Sequence, residues 1–331
     1  MCKWLLVVLL FSLSTSGQTS RFQFTENKMG SPFGIIFYHT DSTEARLIAN
    51  QGFELVDSLN SIFSDYDSNS EISRLSAYTG KIPQRISPTL YDLMVISQEV
   101  QLKSGNTFTV YAGALTRLWR NARKENIFPL KSQVKKARRL SSNKYFIFFP
   151  HDSSMIISKK GASMDFGGIV KGYAAQKVIE LLHTKNIHHA LVDAGGDIVM
   201  SKPPPGKEGW SVAVNLPGQE NVWVEHRLLL TNKAVATSGD MYQYIEHGGK
   251  KYSHIINPKT GYGITGQRQV TVIANDGTTA DWLATACSIL PVNKALRLAD
   301  SEHASLLILE IMNEKISVHK SATFNRNYKL Q

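Results

Sequence analysis

The chain has 331 residues, 42% of them hydrophobic and 19% charged, which excludes a disordered polymer and allows a sizeable buried core. Its formal net charge is +10, from 37 basic and 27 acidic residues, a balance that raises nucleic acid, anionic membrane or phosphorylated ligands as partners. The basic residues are mostly scattered and no basic motif is interleaved with aromatics, which argues against nucleic acid.

At the N-terminus, Lys3, an apolar run over residues 4–13 and the small polar Ser14-Thr15-Ser16-Gly17 have the layout of a secretory signal peptide. The expectation is a leader over residues 1–17, export to the periplasm, and one catalytic domain over residues 18–331. Cys2 would leave with the leader, so Cys287 has no disulfide partner. Its apolar surroundings, residues 284–290, predict a buried, inert thiol rather than a nucleophile.

Residues 35–38 read as a first strand, and the apolar spacing over 43–63 predicts a helix. Ser87-Pro88 opens a second helix, which Ser104-Gly105 closes. The cluster from Lys131 to Arg139 reads as a solvated helix face. Strands are expected at 145–150, 155–158 and 190–192, with a helix over 172–183. Pro, Gly and Asn turns then separate strands at 210–215, 223–230 and 234–237. A strand over 270–274, a helix over 279–290 and a strand over 306–311 follow. The mixture predicts an α+β fold, a single compact unit of mixed or antiparallel sheet with packed helices.

Four segments gather glycine, acid and hydroxyl residues at predicted element ends. In Met164-Asp165-Phe166-Gly167-Gly168-Ile169-Val170-Lys171-Gly172-Tyr173, a strand delivers an acid, two glycines turn and a helix begins. A ligand phosphate suits that position, and so does a plain strand–helix turn. Asp193-Ala194-Gly195-Gly196-Asp197 either lines a site or makes a tight turn. The third segment pairs 235–240, which ends in Gly239-Asp240, with 252–261, where His254 is embedded in polar, turn-forming sequence and is suited to proton transfer. In the fourth, Asp281 and Thr285 stand four apart on a predicted helix and share a face. A carboxylate and a hydroxyl there suit a hard cation such as Mg²⁺, or are only a helix-start acid and an internal threonine.

Together and in order, these segments, with Met29-Gly30-Ser31, Ser64-Asp65-Tyr66-Asp67 and Ser70-Glu71-Ile72-Ser73-Arg74-Leu75, resemble the FAD:protein FMN transferase family, the ApbE-type flavin transferases. The resemblance runs from about Met29 to Leu290. It implies an enzyme that binds FAD with Mg²⁺, splits the pyrophosphate, releases AMP and leaves FMN on a Thr or Ser of an acceptor protein, typically a membrane redox subunit. By position it implies FAD contacts at Met29, Tyr66, Ala112, Gly113, Ala114, Asp165, Lys171 and Ile256. It places Mg²⁺ on Asp281, Thr285 and the Gly168 carbonyl, and offers His254 and Asp240 for proton transfer. The chain departs from the family in the stretch after Phe108, which reads Thr109-Val110-Tyr111-Ala112-Gly113-Ala114-Leu115, and at Asn257, where an Asp is usual. An FAD pyrophosphatase using the same site, or a periplasmic flavin-binding protein without chemistry, are the other readings.

Overall fold

In this computed structural model, residues 19–328 are described except 79, 218–222, 240–242 and 313–314. The leader expected over 1–17 and the candidate Asp240 lie outside the described residues.

The chain opens with β1 (Ser20–Lys28) and β2 (Ser31–His39), an antiparallel hairpin whose turn holds Met29 and Gly30 at positive φ. Helix α1 (Ser42–Phe63) follows, its first turn capped by the Asp41 carboxylate, which accepts from the Glu44 amide at 2.7 Å. Next come α2 (Glu71–Ala77), β3 (Gln84–Arg85), α3 (Pro88–Lys103), α4 (Gly113–Glu125) and α5 (Lys131–Leu140). Then β4 (Phe146–Phe149) and β5 (Ser154–Ile157) precede α6 (Val170–Thr184), β6 (Ala190–Asp193) and β7 (Ile198–Met200). Strands β8 (Trp210–Pro217), β9 (Trp223–Leu230), β10 (Lys233–Gly239), β11 (Tyr244–His247), β12 (Lys250–Ile256), β13 (Gly263–Thr265) and β14 (Gln267–Ala274) follow. The chain closes with α7 (Gly277–Ile289), α8 (Val292–Ser301), β15 (Ser305–Met312), β16 (Lys315–Lys320) and α9 (Ala322–Asn327).

The frame is one eight-stranded sheet in the order β1-β2-β6-β7-β10-β14-β15-β16, antiparallel at every step. The α+β expectation holds. Alternation along β2 shows how the sheet sits between two layers: Phe33, Ile35 and Phe37 are buried in the main core, while Ile36 and Tyr38 pack on the opposite side. α1, α6 and α7 cover the first face. The β8–β9 hairpin and Phe324 of α9 cover the second with Trp210, Val212, Val214, Leu228 and Leu230. Both faces are buried, so strands such as β15 carry a nearly unbroken apolar run.

A smaller unit stands beside this frame. The three-stranded sheet β11-β12-β13 packs on the α4–α5 hairpin around the buried Trp119. Trp119 stacks on Tyr252 and donates its indole N–H to the Gly261 carbonyl at 2.8 Å. That bond ties α4 to the turn that follows β12.

Two local readings need correction. Asp165 does not end a strand: residues 162–166 belong to no helix or strand, and the Asp165 amide donates to the Val110 carbonyl at 2.8 Å. Helix α6 starts at Val170, so Lys171 and Gly172 lie in its first turn rather than before it.

Candidate active site

The site is assembled where α6 and α7 cross. Gly172 and Gly277 face each other there, and a Cβ on either would run into the other's carbonyl oxygen. Only glycine permits that approach. It brings Asp281, on the second turn of α7, against α6: one of its carboxylate oxygens accepts from the Gly172 amide at 3.0 Å. Asp281 is 6% exposed, and burial pushes its carboxyl up to about 7, with the Gly172 amide and the Lys171 charge opposing the shift.

One turn further along α7, Thr285 meets the Gly167-Gly168 turn. A Cβ on Gly168 would stand 2.8 Å from the Thr285 hydroxyl oxygen. The three expected metal positions, Gly168, Asp281 and Thr285, thus converge. Lys171 reaches the same place: its Nζ would be 3.5 Å from a Cβ on Gly195, beside Ser31. The Met29-Gly30-Ser31 hairpin turn and the 193–197 turn therefore abut at the Lys171 side chain. The 193–197 segment is a tight turn, with Asp193 accepting from the Gly196 amide at 2.7 Å. It also borders the Asp281–Lys171 cluster: burial and the Asp281 charge raise the Asp197 carboxyl, with Lys171 acting against both.

The donors fit a hard cation. They are oxygens only, one of them a buried carboxylate that lacks a full counter-charge, and Mg²⁺ takes few protein ligands when phosphates supply the rest. Among the described residues, no three His, Cys, Asp or Glu side chains gather as a metal-binding group, so the fit rests on one carboxylate with a hydroxyl and a carbonyl.

A second cluster lies along the same segment. Asp165, three residues before Gly168, accepts from the Gly167 amide at 2.7 Å. Burial of Asp65, and then the Asp165 charge, raise the Asp65 carboxyl against the opposing pull of Arg120. Arg120 on α4 pairs with Asp65 at 2.8 Å and lays its guanidinium 3.7 Å from the Tyr66 ring centroid. Tyr66 is nonetheless 78% exposed, so one face is backed by Arg120 while much of the ring is open to solvent. His254 on β12 is half-buried and its Nδ1 is without a partner. Burial and the nearby Arg123 hold its pKa below the ordinary value, and burial likewise lowers that of Arg123.

The remaining expected contacts sit around these clusters. Gly113 lies against the Ser163 and Met164 backbone, where a Cβ would be 2.7 Å from the Met164 carbonyl oxygen. Ala112 is half-buried beside it, and Ala114 lines a groove of about 260 Å³ between α4 and α5. Ile256 is buried in the Trp119 cluster. Asn257, which replaces the usual acid, closes the turn after β12, its side-chain oxygen accepting from the Lys259 amide at 2.9 Å. A larger cleft of about 470 Å³ opens by Asn257, Tyr262 and Ser288, one helical turn beyond Thr285. Arg120 and Arg123 carry no sequence motif, and Ser31 enters only within the Met29-Gly30-Ser31 piece. The signal was the Arg117, Arg120, Arg123 spacing, legible only once residues 113–125 are known to be helical.

Fold and site define a class: an α+β protein whose α6–α7 crossing gathers a buried carboxylate, a hydroxyl and a glycine turn beside a lysine, with an exposed tyrosine ring nearby. The ApbE family model matches residues 29–308, and the chain belongs to that family. Among curated proteins, the FAD:protein FMN transferase of Treponema pallidum is 28% identical over 283 residues, covering 80% of this chain and 76% of that protein. The FAD:protein FMN transferase of Vibrio cholerae is 24% identical over 302 residues, covering 89% of each. Among solved structures, the flavin transferase ApbE from Vibrio cholerae superposes with a TM-score of 0.84 at 22% identity, covering 93% of this chain and 99% of the other. The ApbE protein from Thermotoga maritima gives 0.80 at 27% identity, again over 93% and 99%.

Proposed function

We propose that this protein is an FAD:protein FMN transferase that requires Mg²⁺, joins FMN through a phosphoester to a Thr or Ser hydroxyl of an acceptor protein, and releases AMP. The carrying observation is the convergence of Gly168, Asp281 and Thr285 at the α6–α7 crossing, three residues along the chain from Asp165 and its Tyr66 neighbourhood. A simple flavin carrier has no need of that oxygen set.

Gly168, Asp281 and Thr285 would hold the cation. Bound there, Mg²⁺ supplies charge neutralisation for the pyrophosphate. Lys171 adds a second positive charge on the phosphate side. The open part of the Tyr66 ring receives the isoalloxazine by stacking. In the transfer, the acceptor hydroxyl oxygen bonds to the FMN phosphorus, the bond from that phosphorus to the AMP oxygen breaks, and the hydroxyl proton passes to a base. His254 is that base: its lowered pKa keeps the imidazole neutral near pH 7. Asp240 remains a second candidate. The leader-like segment 1–17 supports an exported location, where a membrane redox subunit is the acceptor.

The test is mass spectrometry of a Thr-containing acceptor peptide after incubation with the protein, FAD and Mg²⁺. The expected result is a mass gain of one FMN phosphoester, lost on chelation and reduced at least about 100-fold in Asp281→Ala. AMP with free FMN and no adduct would replace the transferase with a pyrophosphatase. Unchanged transfer by Asp281→Ala would remove the metal assignment.

A further inference from the structure

The formal charge of the chain, spread thinly along most of the sequence, is gathered by the fold. Residues 113–145, which comprise α4, α5 and their flanks, hold ten basic residues and a single acid, Glu125. Arg117, Arg120 and Arg123 belong to the neighbourhood of Asp65, Tyr66 and His254. The rest point elsewhere. On α5, Val134 and Ala137 are buried while Lys131, Lys135, Lys136, Arg138 and Arg139 are exposed. None of these five forms an ion pair among the described residues. The Lys159-Lys160-Gly161 turn adds two more exposed cations at the far end of α5, where a Cβ on Gly161 would stand 3.2 Å from a Leu140 methyl.

The loop between α4 and α5 carries a second, independent feature. Phe128 turns inward and stacks on His247 with ring centroids 4.0 Å apart, and Pro129 is buried. The residues on either side do the opposite: Ile127 is 63% and Leu130 67% exposed. Two aliphatic side chains thus project from a loop whose own core is anchored, between Lys124 at the end of α4 and Lys131 at the start of α5. An aliphatic tip within a basic collar, continued by a basic helix face, is the chemistry that partitions into an anionic bilayer surface: the tip enters the acyl boundary and the cations meet lipid phosphates. Nucleic acid would meet the charge but has no place for the aliphatic pair.

We propose that the α4–α5 hairpin is a membrane-docking surface for anionic phospholipid. Its mounting is rigid with respect to the candidate site. Arg120, one turn before Lys124 on α4, backs Tyr66. Arg138 on α5 donates to the Lys259 carbonyl at 3.0 Å, and Trp119 on α4 donates to that of Gly261, both in the turn that follows Ile256. A bilayer bound to this hairpin therefore lies at a fixed distance from the flavin-side cluster, which suits modification of a substrate held in the same membrane. The docking itself does not depend on the proposed transfer activity.

The test is flotation of the full chain with vesicles of phosphatidylcholine and phosphatidylglycerol, against vesicles of phosphatidylcholine alone, at about 0.1 M and about 0.5 M salt. Binding to the anionic vesicles alone is expected, weakening at the higher salt. Lys135→Glu with Arg139→Glu should weaken it by well over tenfold, since each lost cation is worth about fivefold. Ile127→Ser with Leu130→Ser should weaken it roughly tenfold, with far-ultraviolet circular dichroism and the melting temperature unchanged in both variants. No binding to anionic vesicles, equal binding to neutral ones, or full binding by both double variants would overturn the proposal. So would capture of an acidic protein by the same residues with vesicles ignored.

Discussion

At the scale of single residues, the most informative arrangement is Asp65, Arg120 and Tyr66. An exposed tyrosine ordinarily samples several rotamers. Here a guanidinium, itself held by Asp65 at 2.8 Å, lies against the ring and restrains it. Arg120→Ala is expected to raise the dissociation constant for FAD about fivefold, matching a cation–π contact of about 1 kcal/mol, with Arg120→Lys recovering part of the loss. Flavin fluorescence titration measures this, and an unchanged constant would mean that the stack does not organise Tyr66 for binding. His254 makes a pH prediction. Its folded-state pKa lies below the ordinary 6.5, so on acidification the unfolded chain takes up the proton first. The stability associated with this residue is intact above about pH 6.5 and is lost as pH falls toward the folded value. Urea midpoints between pH 7 and pH 5.5 should therefore fall more steeply for the natural chain than for His254→Gln. Cys287, with no exposed surface and its thiol pushed up to about 12 by burial, should stay unreactive toward a disulfide reagent until the chain unfolds.

At the scale of elements, the α6–α7 crossing governs the site. Gly172→Ala forces a methyl into the Gly277 carbonyl, and the helices must separate. The expected cost is about 2–3 kcal/mol by urea unfolding, because overpacking a closed contact is rarely absorbed for less. Stability equal to the natural chain would contradict the close crossing. The far end of α7 is held differently. Arg268 on β14 donates to the carbonyls of Cys287, Ser288 and Leu290 and pairs with Glu310, satisfying acceptors that the helix leaves open. α1 is legible from its apolar period and α3 from its Ser87-Pro88 start, whereas the Asp41 and Asp276 caps of α1 and α7 are seen only in the structure. α4 is not among the expected helices, although Leu115, Trp119 and Ala122 recur on one face at helical spacing; its burial against β12 is set by tertiary packing around Trp119.

At the scale of the whole molecule, the candidate cation site joins two regions distant in sequence: the Gly167-Gly168 turn that leads into α6, and α7. A cation bound only when both are in place stabilises the entire folded state. Saturating Mg²⁺ is expected to raise the melting temperature of the natural chain by a few degrees and to leave Asp281→Asn unmoved. An equal shift in both would place the ion elsewhere. The sequence by itself determined the α+β class, the segments that carry chemistry and the resemblance that ordered them, because caps, glycine turns and acid spacing are local features of the chain. Only the tertiary structure decided which of those segments meet. The approach of two glycines 105 residues apart sets Asp281 beside Lys171, and the fold of α4 sets an arginine against Tyr66. Contacts across such separations depend on how helices seat on a sheet, and no local period encodes that seating.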